Sequence, residues 1–463
     1  MTEQYYQVNK TEHSGEQPSL GCFSFIILFI IRRKREKTGM RKYTFISFVL
    51  AALMIMFGGC GQEQTGKETD TKGEKWEMGQ IQKEDFLKVE NKKIVNTKGE
   101  GIVLRGTNAG GWLVQEFWMC PTEETENVSC QKELIETLTE RFGKEKAEEL
   151  IDIYEENYWT ETDFDNCKEM GMNVIRLPFT YMNFLEENGT LKEEAFEKTD
   201  WFVNQAGKRG LYVILDMHGA QGSQNEKDHS GDTTQGAAFF YGKNAKANQK
   251  AYVELWKKIA NRYKGNPTVA GYDLLNEPYC DLPENTGKTC WDIYDRTYQA
   301  IRRIDAEHII IMEAKWNPEN LPDPDTYQWE NIMYEYHQYN YGDQNTPQAQ
   351  FEGIELKLDL IDSADYNVAN LIGETSFFSN MESWKLCLNE MNRRKCSYTT
   401  WTYKVTGTGN NNWGIYNTMG EKVNAEQDSY EEIKEKWSNQ QNVIENQQVK
   451  KILEKYYTGY YEK

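Results

Sequence analysis

From residue 76 onward, short and nearly continuous apolar runs alternate with stretches whose apolar residues recur at helical spacing. The runs cover 102–107, 173–178, 211–217, 269–275, 308–312, 331–336, 368–372 and 397–402. A run that is apolar on both faces suits a parallel strand covered on both sides. Amphipathic stretches lie between most of the runs, at 131–154, 200–208, 247–263, 291–304 and 381–393. Eight strands alternating with helices predict an α/β chain folded as a (β/α)8 barrel rather than an open doubly wound sheet. Residues 317–329 are Pro-rich and show no helical pattern, so that connection is expected to lack a helix. The surplus over a minimal barrel is expected in long loops after the first, third and fourth strands. Two last helices, 429–437 and 448–457, are expected to close a single domain over 76–463.

Upstream, the pattern changes. Residues 22–31 form a short apolar run followed by the basic block Arg32-Arg33-Lys34-Arg35. Met40-Arg41-Lys42, an apolar run over 43–57 and Gly58-Gly59-Cys60 then read as the charged, hydrophobic and small-residue parts of a signal peptide over 40–59. Small residues ending in Cys resemble a bacterial lipobox, which implies cleavage before Cys60 and lipidation of its thiol, although Phe57 stands where that motif usually carries Leu. An uncleaved anchor helix is the alternative. Residues 1–39 are then an upstream mis-start or an additional hydrophobic segment, and 60–75 are an anchor cysteine with a polar, flexible linker. The expected location is the outer face of a bacterial cell membrane, touched only through this anchor.

The net charge of −20 over 463 residues argues against nucleic-acid binding and suits an exported domain acting on neutral substrates. Seven cysteines follow Cys60; Cys120/Cys130, Cys280/Cys290 and Cys387/Cys396 are each near enough in sequence to pair, with a thiol such as Cys167 left over. No metal-ligand spacing occurs among the Cys and the five His, so no metal is expected.

In a barrel, residues at the C-terminal ends of the strands face one concave site. Those positions carry Glu116, Arg176, His218, Asn276, Glu277, Glu313, His337, Tyr339, Glu374 and Trp401. Pro278 disfavours helical geometry at Glu277 and predicts an extended, strand-terminal carboxylate. Glu374 ends another apolar run in the same way. Two carboxylates on separate strands fit a retaining glycosidase, one as proton donor and one as nucleophile. In those roles Glu277 is expected to titrate high and Glu374 to stay ionised beside Arg176. Asn276 could donate to a sugar 2-hydroxyl, His218 and His337 could bind sugar hydroxyls or orient Glu374, and Trp401 offers a ring face; a structural role is open for each. Asp216 and Glu313 are spare acids, the first read as structural and the second as a substitute for either glutamate.

Seven motifs carry a family resemblance: Leu104-Arg105-Gly106-Thr107-Asn108-Ala109-Gly110-Gly111-Trp112, Asn173-Val174-Ile175-Arg176-Leu177-Pro178, Leu215-Asp216-Met217-His218-Gly219, Leu274-Leu275-Asn276-Glu277-Pro278, Glu335-Tyr336-His337-Gln338-Tyr339, Ile372-Gly373-Glu374 and Trp401-Thr402-Tyr403-Lys404. In this order, over about 85–420, they resemble glycoside hydrolase family 5, the cellulase family. The resemblance implies a (β/α)8 barrel, retaining chemistry without a cofactor, Glu277 as acid/base and Glu374 as nucleophile. It also implies that Arg176, His218, Asn276, His337, Tyr339 and Trp401 line the substrate. The stretches 110–118 and 218–225 resemble the exo-β-1,3-glucanase branch, in which the residue matching Glu116 helps to hold the terminal glucose. Gln221 (where Pro is usual), residues 226–236 and Thr402-Tyr403-Lys404 depart from that branch. The expected protein is a monomeric retaining β-glycosidase of β-glucans or their oligosaccharides. An endo-β-1,4-glucanase or β-mannanase is the alternative, with a glycolipid-directed glycosidase more remote. A catalytically silent glycan-binding lipoprotein is the rival from another class, against which the presence of both glutamates with Arg176 and Asn276 speaks.

Overall fold

The computed structural model describes residues 80–278, 286–314, 318–407 and 413–462. The signal-like segment, Cys60, the linker and Cys280 lie outside them. Among the described residues no helix is long and apolar enough to cross a membrane.

A small antiparallel sheet, β1 (Lys88–Glu90), β2 (Lys93–Val95) and β3 (Gly101–Ile102), precedes the barrel. The barrel strands are β4 (Arg105–Asn108), β5 (Val174–Thr180), β6 (Tyr212–Gly219), β7 (Val269–Asp273), β8 (Ile309–Glu313), β9 (Ile332–Gln338), β10 (Ala369–Thr375) and β11 (Ser397–Thr400). Each pairs in parallel with the next, and β11 returns to β4 to close the ring. Every expected run therefore overlaps a barrel strand, and most of the strands extend past the C-terminal end of the run. The first run splits, because Ile102 pairs back on Ile94 and the barrel strand starts only at Arg105.

Period-two alternation inside the ring positions the site. Val174, Ile214, Ile309, Ile311, Met333, Ala369 and Leu371 pack inward in one apolar cluster, covered from below by Ile81, Leu87 and Ile94. Their neighbours Ile175, Val213, Ile310 and Tyr334 face the helices. Two residues further along the inward register come Arg176, Asp216, Glu313 and Glu335, and two further on β6 and β9 come His218 and His337. The barrel is apolar at its floor and charged at its mouth.

Three departures concern the helices. The stretch 131–154 is two helices, Gln131–Phe142 and Lys144–Tyr158, broken at Gly143. Its φ of 85° with ψ of 156° is open only to glycine. Helix Glu161–Glu169 has few apolar residues but is nucleated by a Thr160/Asp163 capping box. Helix Pro347–Ala364 opens on Thr346, which caps the Ala349 amide, with Pro347 in its first turn. As expected, 317–329 forms no α-helix in its described part, only short turns at Pro318–Asn320 and Pro324–Thr326. Beyond the barrel, β12 (Lys404–Thr406), β13 (Tyr416–Thr418) and β14 (Val443–Glu445) make a third sheet. Helices Tyr430–Ser438 and Gln447–Tyr457 follow the expected pattern, the second bonding Tyr457 to Thr400 of β11.

The expected Cys120/Cys130 and Cys387/Cys396 disulfides are absent; Cys120, Cys130, Cys167, Cys387 and Cys396 are buried thiols. Cys387 lies within helix Met381–Arg393, packed into the core. The Cys396 thiol turns instead to the Ser397 carbonyl, 3.3 Å away. Burial pushes the Cys120 and Cys396 thiols up to about 12, so both stay protonated.

Candidate active site

Arg176 is the hub of the barrel mouth and is fully buried. Its Nη1 lies 3.0 Å from Glu374 Oε1, 3.1 Å from Asp216 Oδ2 and 3.1 Å from Asn108 Oδ1. Its Nε contacts Asp273 Oδ2 at 2.9 Å and Glu335 Oε1 at 3.1 Å, and Nη2 donates to Asn276 Oδ1 at 2.9 Å. With its oxygen engaged, Asn276 has its amide NH2 left for a substrate hydroxyl. Glu335 fits there only because Gly373 faces it: a Cβ at 373 would stand 1.4 Å from Glu335 Oε1.

His337 joins the two expected catalytic glutamates. Its Nδ1 is 2.8 Å from Glu277 Oε1 and 3.4 Å from Glu374 Oε2, while Nε2 approaches Glu313 at 3.5 Å and Glu335 at 3.6 Å. Tyr339 donates to Glu374 Oε2 at 2.7 Å. His218 Nδ1 lies 2.6 Å from Asp216, and the ring stacks on Trp401 at 5.4 Å with an 8° tilt. Glu116 is buried and accepts from Trp118 Nε1 at 2.7 Å. Trp118 in turn packs on Trp413, which also meets Tyr339 and Phe378. All the expected strand-end residues therefore converge on one mouth.

A cellulase (glycosyl hydrolase family 5) model matches residues 136–407. The chain belongs to glycoside hydrolase family 5. It is 34% identical over 260 residues to a beta-xylosidase of Phanerodontia chrysosporium, covering 55% of this chain and 52% of that protein. It is 30% identical over 243 residues to a glucan 1,3-beta-glucosidase of Candida oleophila, covering 50% and 54%. The chain thus spans about half the length of the curated relatives it matches. Two solved structures share the fold: a rutinosidase from Aspergillus niger (TM-score 0.55, 16% identity, 73% of this chain and 98% of that one) and an endogalactoceramidase (0.52, 19%, 68% and 74%).

Within this family 5 barrel the backbone and the protons depart from expectation. Glu277 is not extended: its φ is 39°. Its N–H donates to Glu313 Oε2 at 2.5 Å, and both carboxylate oxygens meet imidazoles, so side-chain anchors override the preference set by Pro278. Burial raises the Glu277 carboxyl, but the His337 hydrogen bond and the His229, His337 and Arg176 side chains outweigh it and hold it at about 2. Burial moves Glu374 the other way, above the usual glutamate range, in spite of His337 and Arg176. The expected order is therefore reversed. His337 explains it: burial would lower its titration, yet Glu313, Glu374, Glu277 and Glu335 together carry it well above the usual histidine range. The proton expected on Glu277 rests one hydrogen bond away.

His218 is driven well below its usual range by burial and by Arg176, His229 and His337, so it faces the mouth neutral. Burial and the charge of Asp228 push Glu116 well up, against the Trp118 hydrogen bond. Among the described residues, Glu277, Glu313 and His337 bring ligand atoms within 4.8 Å of one another, close enough to hold a metal ion. His229 was not among the sequence candidates. Its Nε2 lies 3.2 Å from Glu277 Oε2, and its only sequence signal is a histidine in the segment that departs from the exo-glucanase branch.

Proposed function

We propose that this chain is a retaining β-glycosidase acting on β-linked glucans or on oligosaccharides bearing β-glucosyl or β-xylosyl ends. The observation that carries the reading is the shared nitrogen between the two glutamates. One oxygen of each lies within 2.8 and 3.4 Å of His337 Nδ1, so those oxygens stand at most about 6 Å apart. Inverting pairs need about 6.5–9.5 Å for a water between them, and retaining pairs about 5–5.5 Å. Glu374 attacks the anomeric carbon while the departing oxygen, keeping the electron pair of the broken bond, takes a proton from Glu277. Water then adds to the glycosyl-enzyme, giving its proton to Glu277 as Glu374 leaves. Arg176 and Tyr339 hold the nucleophile, one on each oxygen. The named relatives support both sugars, and the beta-xylosidase favours a β-xyloside as the second substrate to try.

The test uses protein starting at Lys75 on laminarin, mixed-linkage β-glucan, carboxymethylcellulose, mannan and aryl β-glucosides and β-xylosides, with the first-formed anomer read by proton NMR. The expected result is hydrolysis of at least one β-glucan or β-xyloside with the β anomer released first. Because the nucleophile must be ionised and Glu374 is raised, the acid limb of kcat/KM should lie above the ordinary glutamate value of about 4.5. An α anomer first would overturn the reading in favour of an inverting enzyme, and binding without turnover on every substrate would overturn it in favour of the silent glycan binder.

The same reading includes export and a lipid tether at Cys60, supported by the signal-like pattern over 40–59. Expressed whole in a bacterium, the chain should partition into detergent and a Cys60→Ser variant into water. Equal partition would remove the tether.

A further inference from the structure

β9 and β10 run in step from Ala369 beside Met333 to Ile372 beside Tyr336, but the next pair is Glu374 beside His337. Gly373 is therefore an extra residue, a bulge in β10. Its consequence follows from the period of two. Ala369 and Leu371 point into the barrel and Ile372 points to the helices, so unbroken alternation would turn Glu374 outward as well. The bulge turns it inward, beside His337 and onto Arg176 and Tyr339. Side chains then serve the backbone around it. The Gly373 carbonyl accepts from Asn108 Nδ2 at 3.0 Å and from Thr399 Oγ1. On the β9 side, the His337 carbonyl accepts from Lys357 Nζ at 2.5 Å and the Gln338 carbonyl from Thr375 Oγ1 at 2.8 Å.

We propose that Lys357 is a positioning residue for the nucleophile: it pins the end of β9 against the bulge, so that Glu374 stays turned towards the anomeric carbon. This rests on the reading of Glu374 as nucleophile. Lys357 belongs to helix Pro347–Ala364, and so does Gln350, whose Nε2 donates to the Asn340 carbonyl at 3.0 Å. The helix thus grips the chain on both sides of Tyr339, the residue that donates to Glu374 Oε2. Gly353 lets it come close, since a Cβ there would stand 2.8 Å from Gln338 Nε2. Lys357 is only 6% exposed, whereas its neighbour Leu356 is 61% exposed. Burying an ammonium beside an exposed leucine is unfavourable, and packing alone would place an apolar residue at 357. The donor on the His337 carbonyl gives the lysine its reason. His337 and Glu374 stand opposite each other across the bulge, so a shift of the β9 end moves the imidazole, the Tyr339 hydroxyl and the nucleophile relative to one another.

The test compares wild type with three variants. Lys357→Met keeps the aliphatic stem and removes the donor, Lys357→Arg returns a cationic donor, and Thr375→Val removes the hydroxyl from the Gln338 carbonyl at nearly the same shape. The probe is the 2,4-dinitrophenyl 2-deoxy-2-fluoro-β-glycoside of the sugar that wild type hydrolyses. Dinitrophenolate leaves with the electron pair of the C1–O bond as a Glu374 oxygen bonds C1. The fluorine slows the water step, so the glycosyl-enzyme accumulates and intact mass reads its rate of formation. Lys357→Met should lower the limiting rate about tenfold or more, as a displaced nucleophile does, and leave the half-saturating probe concentration within about threefold. Lys357→Arg should recover most of the rate, and Thr375→Val should show a smaller loss of the same kind. A lower Tm with an unchanged limiting rate, or a change in half-saturation alone, would overturn the proposal and make Lys357 a packing residue. Should Lys357→Met not fold, an undiminished limiting rate in Thr375→Val overturns it instead. Peptide mapping separates the two readings. A label away from Glu374 removes the nucleophile, whereas a label on Glu374 formed as fast in Lys357→Met as in wild type removes only the role of Lys357.

Discussion

Glu374→Ala is expected to lower kcat on an aryl β-glycoside by roughly 10⁴-fold or more, and azide is expected to restore turnover while forming the α-glycosyl azide. The direction follows from what surrounds the carboxylate. One oxygen is held by Arg176 at 3.0 Å and the other by Tyr339 at 2.7 Å, so the group is fixed in place before substrate arrives. Alanine leaves a small space lined by a cation and a hydroxyl donor, which suits a compact anion. Azide entering there attacks the face the carboxylate would have attacked, and nothing then displaces it, so the product carries the inverted configuration. Glu277→Ala gives the opposite sign: a glycosyl-enzyme still forms from an activated substrate, and azide removes it in a second inversion as the β-azide. The measurement is the configuration of each azide adduct by NMR. A β-azide from Glu374→Ala would move the nucleophile elsewhere, with Glu313, which accepts the Glu277 amide, next in line.

The strands were legible because a barrel strand is buried on both faces, and β5 and β6 are buried at every residue. The two glutamates were legible because each closes such a run. Gly143 is one residue in an otherwise helical stretch and gives little warning that it breaks the helix, since the cost depends on a φ the sequence does not display. The proton positions were less legible still. Arg176 was expected to keep Glu374 ionised, and the contact exists, but four other carboxylates crowd the same volume and burial favours their neutral forms. Which acid keeps its charge is a property of the whole cluster, and no spacing along the chain encodes it. Residues 226–236 were recognised as a departure from the exo-glucanase branch. That His229 meets Glu277 is set by the path of that segment, including the left-handed turn at Gly231, where φ is 75°.

Arg176→Met is expected to destabilise the fold by at least about 3–5 kcal/mol and to abolish activity, because it removes the cation from a buried cluster of acids. Asp216, Asp273 and Glu335 are each fully buried, and Glu374 nearly so. Against burial, which would lower it, their charges carry the guanidinium well above its usual range, so the cluster as built keeps the arginine charged. Two carboxylates, Glu335 and Glu277, are held low, while Asp216, Asp273, Glu313 and Glu374 are raised. Two cations, Arg176 and His337, thus face two low carboxylates, and the remaining acids lean towards their neutral forms. Without Arg176 the balance fails, and Glu335 has to bind a proton or leave the core. A carboxyl whose folded titration point rises above its unfolded one stabilises the fold fully below the unfolded value, and that contribution drains away as pH rises from there through the raised folded value. The loss in Arg176→Met should therefore be larger at pH 7.5 than at pH 5. Urea unfolding of both proteins at the two pH values measures it. A difference under about 1 kcal/mol at both would mean that protons, and not Arg176, already neutralise the cluster.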